Sequence, residues 1–246
     1  MTNSITPERV ETWHAELAGA STEQLLRWAG EAFAPRISLA TAMGLEAQVL
    51  IDLIVRLQLP ISVFTIDTGR LFPETYELLQ RTMDHYGISI RVFYPRTSLL
   101  EQMVAEEGIA LYRRSVTARK RCCWVRKVEP LQRALKDLDG WICGLRREQA
   151  VTRANLQVIE WDRINERLKL NPLADWSEAE VWEYLETHSV PYNPLHRRGF
   201  PSIGCACCTR AIRPGEDPRA GRWWWEQTEQ KECGLHLRDA RSTFKA

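Results

Sequence analysis

Four cysteines have a spacing that indicates ligation of a metal cluster. Cys122 and Cys123 are adjacent, and Cys205 and Cys208 form a C-x-x-C motif far along the chain. Adjacent cysteines rarely bridge each other because the small ring is strained, and zinc fingers take their ligands from spaced pairs. Two adjacent thiolates can instead bind different iron atoms of one cluster, such as a cubane iron–sulfur cluster held by four cysteines. The sequence therefore predicts that these four thiols share one cluster.

The remaining cysteines have other interpretations. Cys207 is a spare thiol inside the motif, because Cys205 and Cys208 already match the spacing. Cys233 lies in "QKECGLH", near the end of the chain. A thiol in a polar, glycine-bearing tail suits a nucleophile that must meet two partners in turn. An incidental thiol explains Cys233 equally well at this point.

Composition excludes several classes of protein. The chain has 33 Lys and Arg residues against 32 Asp and Glu residues, a net charge of +1, which gives no global attraction to nucleic acid or to an anionic membrane. No run of about 18 apolar residues predicts a membrane span. The start, "MTNSITPERVETW", lacks the apolar core of a signal peptide, so we expect a cytoplasmic protein. In that compartment seven cysteines indicate ligation or catalysis rather than a disulfide framework.

Strand-like and helical segments alternate along most of the chain. Two amphipathic helices are expected before residue 36, with Pro7 near the start of the first and Ser21 capping the second. Strands are predicted at 36–42, 61–68, 88–95 and 140–146, and helices at 45–57, 73–87, 98–108 and 121–138, the last interrupted by Pro130. The alternation predicts an α/β fold with a mostly parallel sheet flanked by helices.

Two motifs fall where such a sheet binds ligands, beyond the carboxyl ends of its strands. They are "IDTGR" at 66–70 and "CGLRREQ" at 143–149. Gly69 and Gly144 could also simply make turns. Beyond residue 190 the chain is rich in Pro and Gly and lacks periodicity, so extended loops and a tail are expected.

Several motifs together resemble one enzyme family. "KRCCWVRKVEPL", "GCACCTRAI", "GEDPRAGRWWWE" and "KECGLH" are similar to segments of the bacterial assimilatory adenosine 5'-phosphosulfate (APS) reductases, the iron–sulfur type of the PAPS/APS reductase family. The match continues in "IDTGRLFPETY", "GLRREQAVTRA" and "NPLADWSEAEVWEYL". The double cysteine with a distant C-x-x-C distinguishes these enzymes from reductases of PAPS, the 3'-phosphorylated nucleotide, which lack the four ligands.

The resemblance implies a fold and a reaction. The fold is that of the adenine-nucleotide α-hydrolase-like group, with a nucleotide- and cluster-binding α/β domain over residues 1–213 and a mobile C-terminal tail over 214–246. The reaction reduces APS to sulfite and AMP through a cysteine thiosulfonate, with thioredoxin or glutaredoxin as the reductant, in sulfate assimilation and cysteine biosynthesis. We also expect a homo-oligomer without a nucleic-acid or membrane partner.

The resemblance also assigns ligands and a nucleophile. The implied ligands of a [4Fe–4S] cluster are Cys122, Cys123, Cys205 and Cys208, and Cys233 matches the family's nucleophile. Lys127 matches a lysine between cluster and substrate. It ends a stretch with seven cations and no acid: Arg113, Arg114, Arg119, Lys120, Arg121, Arg126 and Lys127. Such a run is ordinarily a solvated helix face, but a cluster held by four thiolates is anionic and gives some of these cations a partner.

The implied substrate-binding residues come from several motifs: Thr41, Gly44, Ile66, Lys127, Gly144, Arg153, Arg219, Arg222 and His236. Arg219 and Arg222 match arginines on the phosphosulfate, where their planar forks suit charged oxygens. Arg153 matches a further phosphate contact, and Ile66 and Gly144 would offer main-chain groups to adenine. His236 matches a tail histidine that closes over the site.

One loop departs from the family pattern S-F-S-G-A-E-D. In "TAMGLEA", Thr41, Gly44 and Glu46 keep a hydroxyl, the glycine and the acid. Met43 and Ala47 replace a second hydroxyl and an aspartate. The departure concerns the affinity and pose of the nucleotide rather than the catalytic set.

Three alternative functions remain open. A PAPS reductase, or a reductase of both nucleotides, is the nearest, and turnover of the two substrates separates them. A cluster-containing tRNA-thiolation enzyme would need an S-G-G-x-D-S-like loop, which "TAMGLEA" is not. A zinc-bound interaction module for nucleic acid would contain zinc without iron or acid-labile sulfide.

Overall fold

The chain divides into two compact units. The computed structural model describes residues 5–226. The first unit contains the described residues of three stretches, 5–65, 77–91 and 137–193. The second unit contains residues 66–76, 92–136 and 194–226.

Six strands form one sheet, in the order β3-β2-β1-β4-β6-β5. The strands are β1 Ile37–Thr41, β2 Ser62–Ile66, β3 Ile90–Phe93, β4 Gly140–Cys143, β5 Ile159–Asp162 and β6 Arg167–Leu170. β1 pairs in parallel with β2 and β4, and β4 pairs in parallel with β6, whereas β5 is antiparallel to β6 at one edge. The mostly parallel sheet is therefore confirmed.

Eight helices are present among the described residues: α1 Pro7–Glu16, α2 Thr22–Phe33, α3 Leu45–Arg56, α4 Pro73–Tyr86, α5 Thr97–Glu107, α6 Val116–Cys123, α7 Glu129–Leu135 and α8 Glu178–Thr187. The predicted starts of the first two are confirmed, because Pro7 opens α1 and Ser21 caps α2 in a capping box with Gln24. A second capping box, Ser177 with Glu180, starts α8.

The core of the first unit lies between the sheet and its helices. Leu39 of β1 and Ile142 of β4 are fully buried, and so are Val49 and Leu50 of α3. β1 is buried along nearly its whole length, including the polar Ser38 and Thr41, as expected of a parallel strand that is covered on both faces. The ends of β1 and β4 are thereby held side by side.

In the second unit, one long helical stretch carries the first cysteine pair. The stretch was predicted to start at Arg121, but α6 starts at Val116, where the hydroxyl of Ser115 accepts a hydrogen bond from the Ala118 amide. A π-helical turn, Trp124–Val128, joins α6 to α7. Pro130 lacks an N–H group, and the wider turn before it lets the chain stay helical rather than break.

After residue 193 the described chain is irregular, as predicted, apart from short 3-10 turns at Pro194–Arg198 and Ala206–Cys208. The predicted boundary between residues 213 and 214 stays a prediction. The predicted mobile tail largely falls beyond residue 226, and so outside the described residues. No helix among the described residues is long and apolar enough to cross a membrane.

Candidate functional site

The loop after β1 is shaped by its own side chains. The hydroxyl of Thr41 accepts a hydrogen bond from the Met43 amide over 2.9 Å. Met43 is buried and has a φ of 58°, a left-handed conformation that is strained for a residue of this size. Gly44 then occupies the N-cap of α3 without a side-chain cap. The first amides of α3 therefore have no capping side chain, as in helix termini that bind phosphate.

The loop after β4 lies against the same helix end. A Cβ on Gly144 would come within 2.8 Å of the Glu46 Cβ and 3.0 Å of the Ala47 amide nitrogen, so only glycine fits there without a shift. Arg146 donates from Nε to Glu46 Oε1 over 2.8 Å. The order in which the chain adds strands to the open sheet reverses between β1 and β4. Open α/β sheets bind nucleotides at such a point. Thr41, Gly44 and Gly144 therefore lie in neighbouring loops of the first unit, and their role in substrate binding stays a prediction.

Arg153 is the last residue of a 3-10 turn in the loop that follows β4. It is buried and donates to Gln149 Oε1, and Gln149 in turn accepts a hydrogen bond from the Arg146 amide. Two 3-10 turns, Arg147–Gln149 and Val151–Arg153, form this segment. Arg153 therefore belongs to the same unit as Gly144, and its guanidinium has a fixed neighbour.

Ile66 ends β2 and belongs to the second unit. The next residue, Asp67, accepts hydrogen bonds from the Gly69 amide at 2.7 Å and the Tyr76 hydroxyl at 2.9 Å. The Asp67 amide donates to the Phe93 carbonyl. The "IDTGR" motif is therefore an ordered turn, in which Gly69 has a φ of 69° and does make the turn that its simplest interpretation required.

The four predicted cluster ligands are all buried in the second unit. Cys122, Cys205 and Cys208 share one apolar cluster with Met103, Leu111, Tyr112, Ala118, Val125 and Trp223. Cys123 is buried beside Cys122 at the end of α6. None of the described cysteines forms a disulfide. A small region of the second unit therefore holds four reduced thiols drawn from two distant segments.

Backbone and hydroxyl groups fix the C-x-x-C segment. The Ala206 amide donates to the Arg70 carbonyl over 2.8 Å, and the Trp223 amide donates to the Cys208 carbonyl over 3.1 Å. The Thr68 hydroxyl lies 3.3 Å from the Cys205 sulfur. Hydrogen bonds of this kind hold the sulfurs of a cluster site in place.

The thiols differ in their expected protonation. Burial is the main cause that raises the pKa of Cys122, and Cys205 and Cys207 raise it further. The pKa of Cys208 is raised because its thiol donates to Cys207, and also by burial and by Cys205 and Cys123. The hydrogen bond from Cys208, together with those from Tyr112 and Arg70, lowers the pKa of Cys207 to about 5. The Cys207 and Cys208 sulfurs lie 3.8 Å apart.

The donor set fits a cluster better than a single ion. Within residues 5–226 there is no group of three or more His, Cys, Asp or Glu side chains placed to hold one metal ion. Four buried thiols in one unit are nevertheless the all-sulfur donor set that iron–sulfur clusters use. Cluster ligands lie further apart than those of a single ion, because iron and sulfide occupy the space between them.

The cation run beside the first cysteine pair divides into two groups. Arg114 and Arg121 pair with Glu107, and Arg121 also pairs with Glu106, so acids from α5 neutralise this surface. The inner cations, by contrast, are buried: Arg119, Arg126 and Lys127. The usual interpretation of a charge run as a solvated face therefore holds for only part of it.

Two of the buried cations have defined partners. Arg119 forms an ion pair with Glu226 at 2.8 Å and lies over the ring of Trp223. Arg126 donates from Nη1 to the Thr68 carbonyl over 2.6 Å. These contacts join the helical stretch that carries the first cysteine pair to the "IDTGR" turn and to the segment that follows the second pair.

The two predicted phosphosulfate arginines differ in exposure. Arg222 is buried and donates to Ser202 Oγ at 3.2 Å and the Ile203 carbonyl at 3.3 Å. Any Cβ on Gly204 would collide with its guanidinium. Arg219 is half-buried, and its amide donates to Asp217. The remaining predicted site residues, Cys233 and His236, lie outside the described residues.

Sequence reasoning did not single out Arg70 and Tyr112. Arg70 lies 3.8 Å from the Cys207 sulfur, donates to the Ile109 carbonyl and stacks over the Tyr112 ring. Arg70 was visible as the last residue of "IDTGR", but nothing local linked that motif to the cysteines. For Tyr112, no sequence feature other than its position just before the cation run indicated a role at the cysteines.

Comparison with known proteins gives close relatives. Residues 36–211 match the phosphoadenosine phosphosulfate reductase domain. The chain is 55% identical over 203 residues to the adenosine 5'-phosphosulfate reductase of Allochromatium vinosum, with 82% of this chain and 79% of the relative covered. It is 50% identical over 202 residues to the protein of the same name from Burkholderia cepacia, with 82% and 81% covered.

Solved structures give the same fold. The phosphoadenylyl-sulfate (PAPS) reductase of Candida auris, in a phosphate complex, matches with a TM-score of 0.72 at 31% identity, over 84% of this chain and 98% of that chain. The FMN adenylyltransferase of Candida glabrata matches with a TM-score of 0.55 at 17% identity, over 97% and 81%. The second likeness concerns the fold alone.

Proposed function

Because this chain belongs to the phosphoadenosine phosphosulfate reductase family and is an oxidoreductase, we propose that it reduces APS to sulfite and AMP in assimilatory sulfate reduction. Relatives that are 45–55% identical carry the name adenosine 5'-phosphosulfate reductase. The observation that carries the choice of APS is the cysteine quartet, buried in one unit of the fold. Reductases of PAPS are expected to lack these four ligands.

In this proposal Cys122, Cys123, Cys205 and Cys208 hold a [4Fe–4S] cluster. Burial of all four supports the assignment, since buried thiolates are unstable unless a metal or a cation compensates their charge. When bound, the cluster would supply a compact negative group and a link between the two cysteine pairs. Lys127 is the fourth residue of the π-helical turn and is buried, and it would screen that charge from an anionic substrate.

The nucleotide would bind at the ends of β1 and β4. The uncapped start of α3 and the hydroxyl of Thr41 suit phosphate oxygens, and the close approach at Gly144 exposes main-chain groups to a base. Arg153, in the same unit, would add a charge-assisted hydrogen bond. The proposed substrate-binding residues of the second unit are Arg219 and Arg222, for charged oxygens, and Ile66, for a main-chain contact to adenine.

The first chemical step is nucleophilic substitution at sulfur. The Cys233 thiolate attacks the sulfate sulfur, an S–S bond forms, the bond between sulfur and the phosphate oxygen breaks, and AMP leaves with the electron pair of that bond. Cations beside the phosphate stabilise the leaving charge. The product on the enzyme is a thiosulfonate, Cys–S–SO₃⁻, over which His236 would close.

The second step uses an external dithiol, thioredoxin or glutaredoxin. Its thiolate attacks the Cys233 sulfur, the S–S bond to the sulfonate breaks, and sulfite leaves with the bonding electrons. The second thiol of the reductant then resolves the mixed disulfide, which restores Cys233 and leaves an oxidised disulfide on the partner. The two electrons therefore come from thiols.

A PAPS reductase or a dual enzyme is the second candidate. The domain that matches residues 36–211 and the structural relative from Candida auris are both named for PAPS. Sulfite release from APS and from PAPS, at equal concentration and with reduced thioredoxin, separates the candidates. Preference for PAPS would overturn the proposed substrate without overturning the family.

The nucleophile is tested with a single variant and a matched control. Cys233→Ser should retain iron and bind APS but form no sulfite, whereas Cys143→Ser should form sulfite normally. Wild-type protein given APS without thioredoxin should release one equivalent of AMP and gain a sulfonate on Cys233, read by mass spectrometry of the tail peptide. A sulfonate on Cys143 or Cys207 instead would refute the mechanism.

The remaining features of the proposal are a cytoplasmic location, a homo-oligomer and no nucleic-acid partner. Light scattering on the purified protein gives the oligomeric state, and fractionation of cells gives the location.

A further inference from the structure

Cys207 lies at the candidate cluster site, but the proposed chemistry does not use it. Its sulfur is 3.8 Å from that of Cys208, and both residues belong to the 3-10 turn Ala206–Cys208. Neighbouring residues of a 3-10 turn lie a third of a turn apart, so their side chains ordinarily diverge. Here the two side chains converge, which places two thiols at one corner of the site.

Hydrogen-bond donors surround the Cys207 sulfur. Arg70 Nη1 lies 3.8 Å away, and the Tyr112 hydroxyl also donates to it. Arg70 is itself held, because its guanidinium stacks over the Tyr112 ring at 5.0 Å and its carbonyl accepts from the Ala206 amide. Donors of this kind stabilise thiolate ligands and set their orientation in metal sites.

The position of Cys207 relative to the other thiols also suits a ligand. It is half-buried and packs against the apolar cluster that contains Cys122, Cys205 and Cys208. Cys143 provides the contrast, because it belongs to the first unit and its thiol donates to Asn171 Oδ1 over 3.0 Å. Of the two described cysteines outside the quartet, only Cys207 therefore has access to the cluster site.

We propose that Cys207 is a substitute ligand, which replaces Cys208 at the cluster when the Cys208 thiolate is lost. The inference rests on the proposed cluster. Oxidation states stay unchanged in the exchange, because the Cys207 sulfur binds iron as a thiolate, any proton of its thiol passes to solvent, and the cluster keeps four thiolates. The greater burial of Cys208 makes it the ligand in the intact protein.

The first test measures iron and acid-labile sulfide in anaerobically purified variants. Cys208→Ser should retain most of the wild-type iron, and Cys207→Ser should retain all of it. The double variant Cys207→Ser/Cys208→Ser, and Cys123→Ser as the comparison without a neighbouring spare, should contain at least about tenfold less, since even loss of an outer-shell partner weakens metal binding by that factor.

The second test locates the ligand directly. Under native anaerobic conditions iodoacetamide should alkylate Cys207 in the wild-type holoprotein, where its thiol is half-exposed and unligated. In the Cys208→Ser holoprotein Cys207 should be protected, and chelation of the iron should restore its alkylation. Peptide mass spectrometry gives the occupancy at each cysteine.

Two results overturn the inference while the proposed function stands. In one, Cys208→Ser contains as little iron as the double variant, whether folded or not, since a substitute ligand should also maintain the fold. In the other, Cys207 of iron-containing Cys208→Ser is alkylated as fast as in wild type. Wild-type protein without iron and sulfide would instead reject the cluster itself, and with it both proposals.

Discussion

Arg146 and Glu46 join the loop after β4 to the first turn of α3, with 2.8 Å between Arg146 Nε and Glu46 Oε1. Their side chains are only 6% and 12% exposed. Arg146 also lies 3.3 Å from Glu148, whose side chain is 62% exposed. Arg146 thus has one buried carboxylate partner and one solvated partner, so substitutions of Glu46 and Glu148 form a matched comparison.

We predict that Glu46→Gln lowers the free energy of unfolding by about 3 kcal/mol, because it removes the buried counter-ion of Arg146 and leaves only the solvated Glu148. Glu148→Gln should change it by less than about 1 kcal/mol, since water screens an exposed pair. Urea unfolding of both variants measures this. The Michaelis constant for APS should rise only in Glu46→Gln, whose carboxylate positions the loop at Gly144. Equal effects of the two substitutions would contradict the prediction.

Replacement of Cys122, Cys123 or Cys205 by Ser should remove the cluster. Each thiol is buried, and Cys207, the spare thiol inside the C-x-x-C motif, lies next to Cys208 rather than next to any of these three. Iron and sulfide content and the visible spectrum report the loss. Cys143→Ser is the control and should keep full iron content. A Cys123→Ser protein with wild-type iron would reject the ligand assignment.

Arg219→Ala and Arg222→Ala should weaken APS binding by about ten- to a hundredfold each, because a hydrogen bond to a charged group contributes roughly 1.5–3 kcal/mol. Arg222→Ala should also lower thermal stability, since its guanidinium binds Ser202 and Ile203. Calorimetric titration of APS measures the first effect. The exposed Arg213 is the matched control, and its replacement by Ala should leave the affinity unchanged. Unchanged affinity in both test variants would remove the two arginines from the site.

Cys143 should make stability depend on pH in the alkaline range. Burial raises the pKa of its thiol from 9.0 to about 12. The native state therefore holds the proton more tightly than the unfolded chain, so this contribution is complete below about pH 9 and is lost as the pH rises towards 12. Between about pH 8 and pH 10, the stability of wild type should fall by about 1.4 kcal/mol more than that of Cys143→Ala.

The difference between the two pH values corrects for any effect of the substitution that does not depend on pH. Cys143→Ala also removes the donor to Asn171, but that loss is the same at both pH values and cancels in the difference. Parallel pH profiles for wild type and Cys143→Ala would show that the thiol is not buried in solution.

Local signals in the sequence were sufficient for much of the fold. The strands at 37–41 and 62–66 and the helices at 45–56 and 73–86 fall inside their predicted ranges, because each shows a clear period or a capping residue. The α6 start was missed by five residues, since the Arg and Lys side chains after Ser115 gave no apolar period to follow. β5, β6 and α8 were not predicted. The four-residue strands β5 and β6 are too short for a clear alternation, and α8 was missed although Ser177 and Glu180 form a capping box at its start.

The candidate site was predictable where it consists of motifs and was not predictable where distant segments meet. The cysteine quartet was singled out by its residue types and spacing, and the structure has all four members buried in one unit, while their role as cluster ligands stays a prediction. The contacts of Arg70 with Cys207 and of Arg126 with Thr68 join residues far apart in sequence. The ion pairs of α5 with Arg114 and Arg121 likewise depend on packing, which a local charge count cannot show.

The origin of the thiols in two distant segments has a consequence for biosynthesis. Translation proceeds at about 5–20 residues per second, so the about eighty residues from Cys123 to Cys205 take roughly 4–16 s to synthesise. During that interval the nascent chain presents a vicinal dithiol whose partners do not yet exist. Iron delivered during that interval would find only two of the four proposed ligands, Cys122 and Cys123, and oxidants could react with these two unligated thiols. A cluster held by these four thiols would therefore form only after Cys205 and Cys208 have left the ribosome, and the first cysteine pair would be open to oxidants until then.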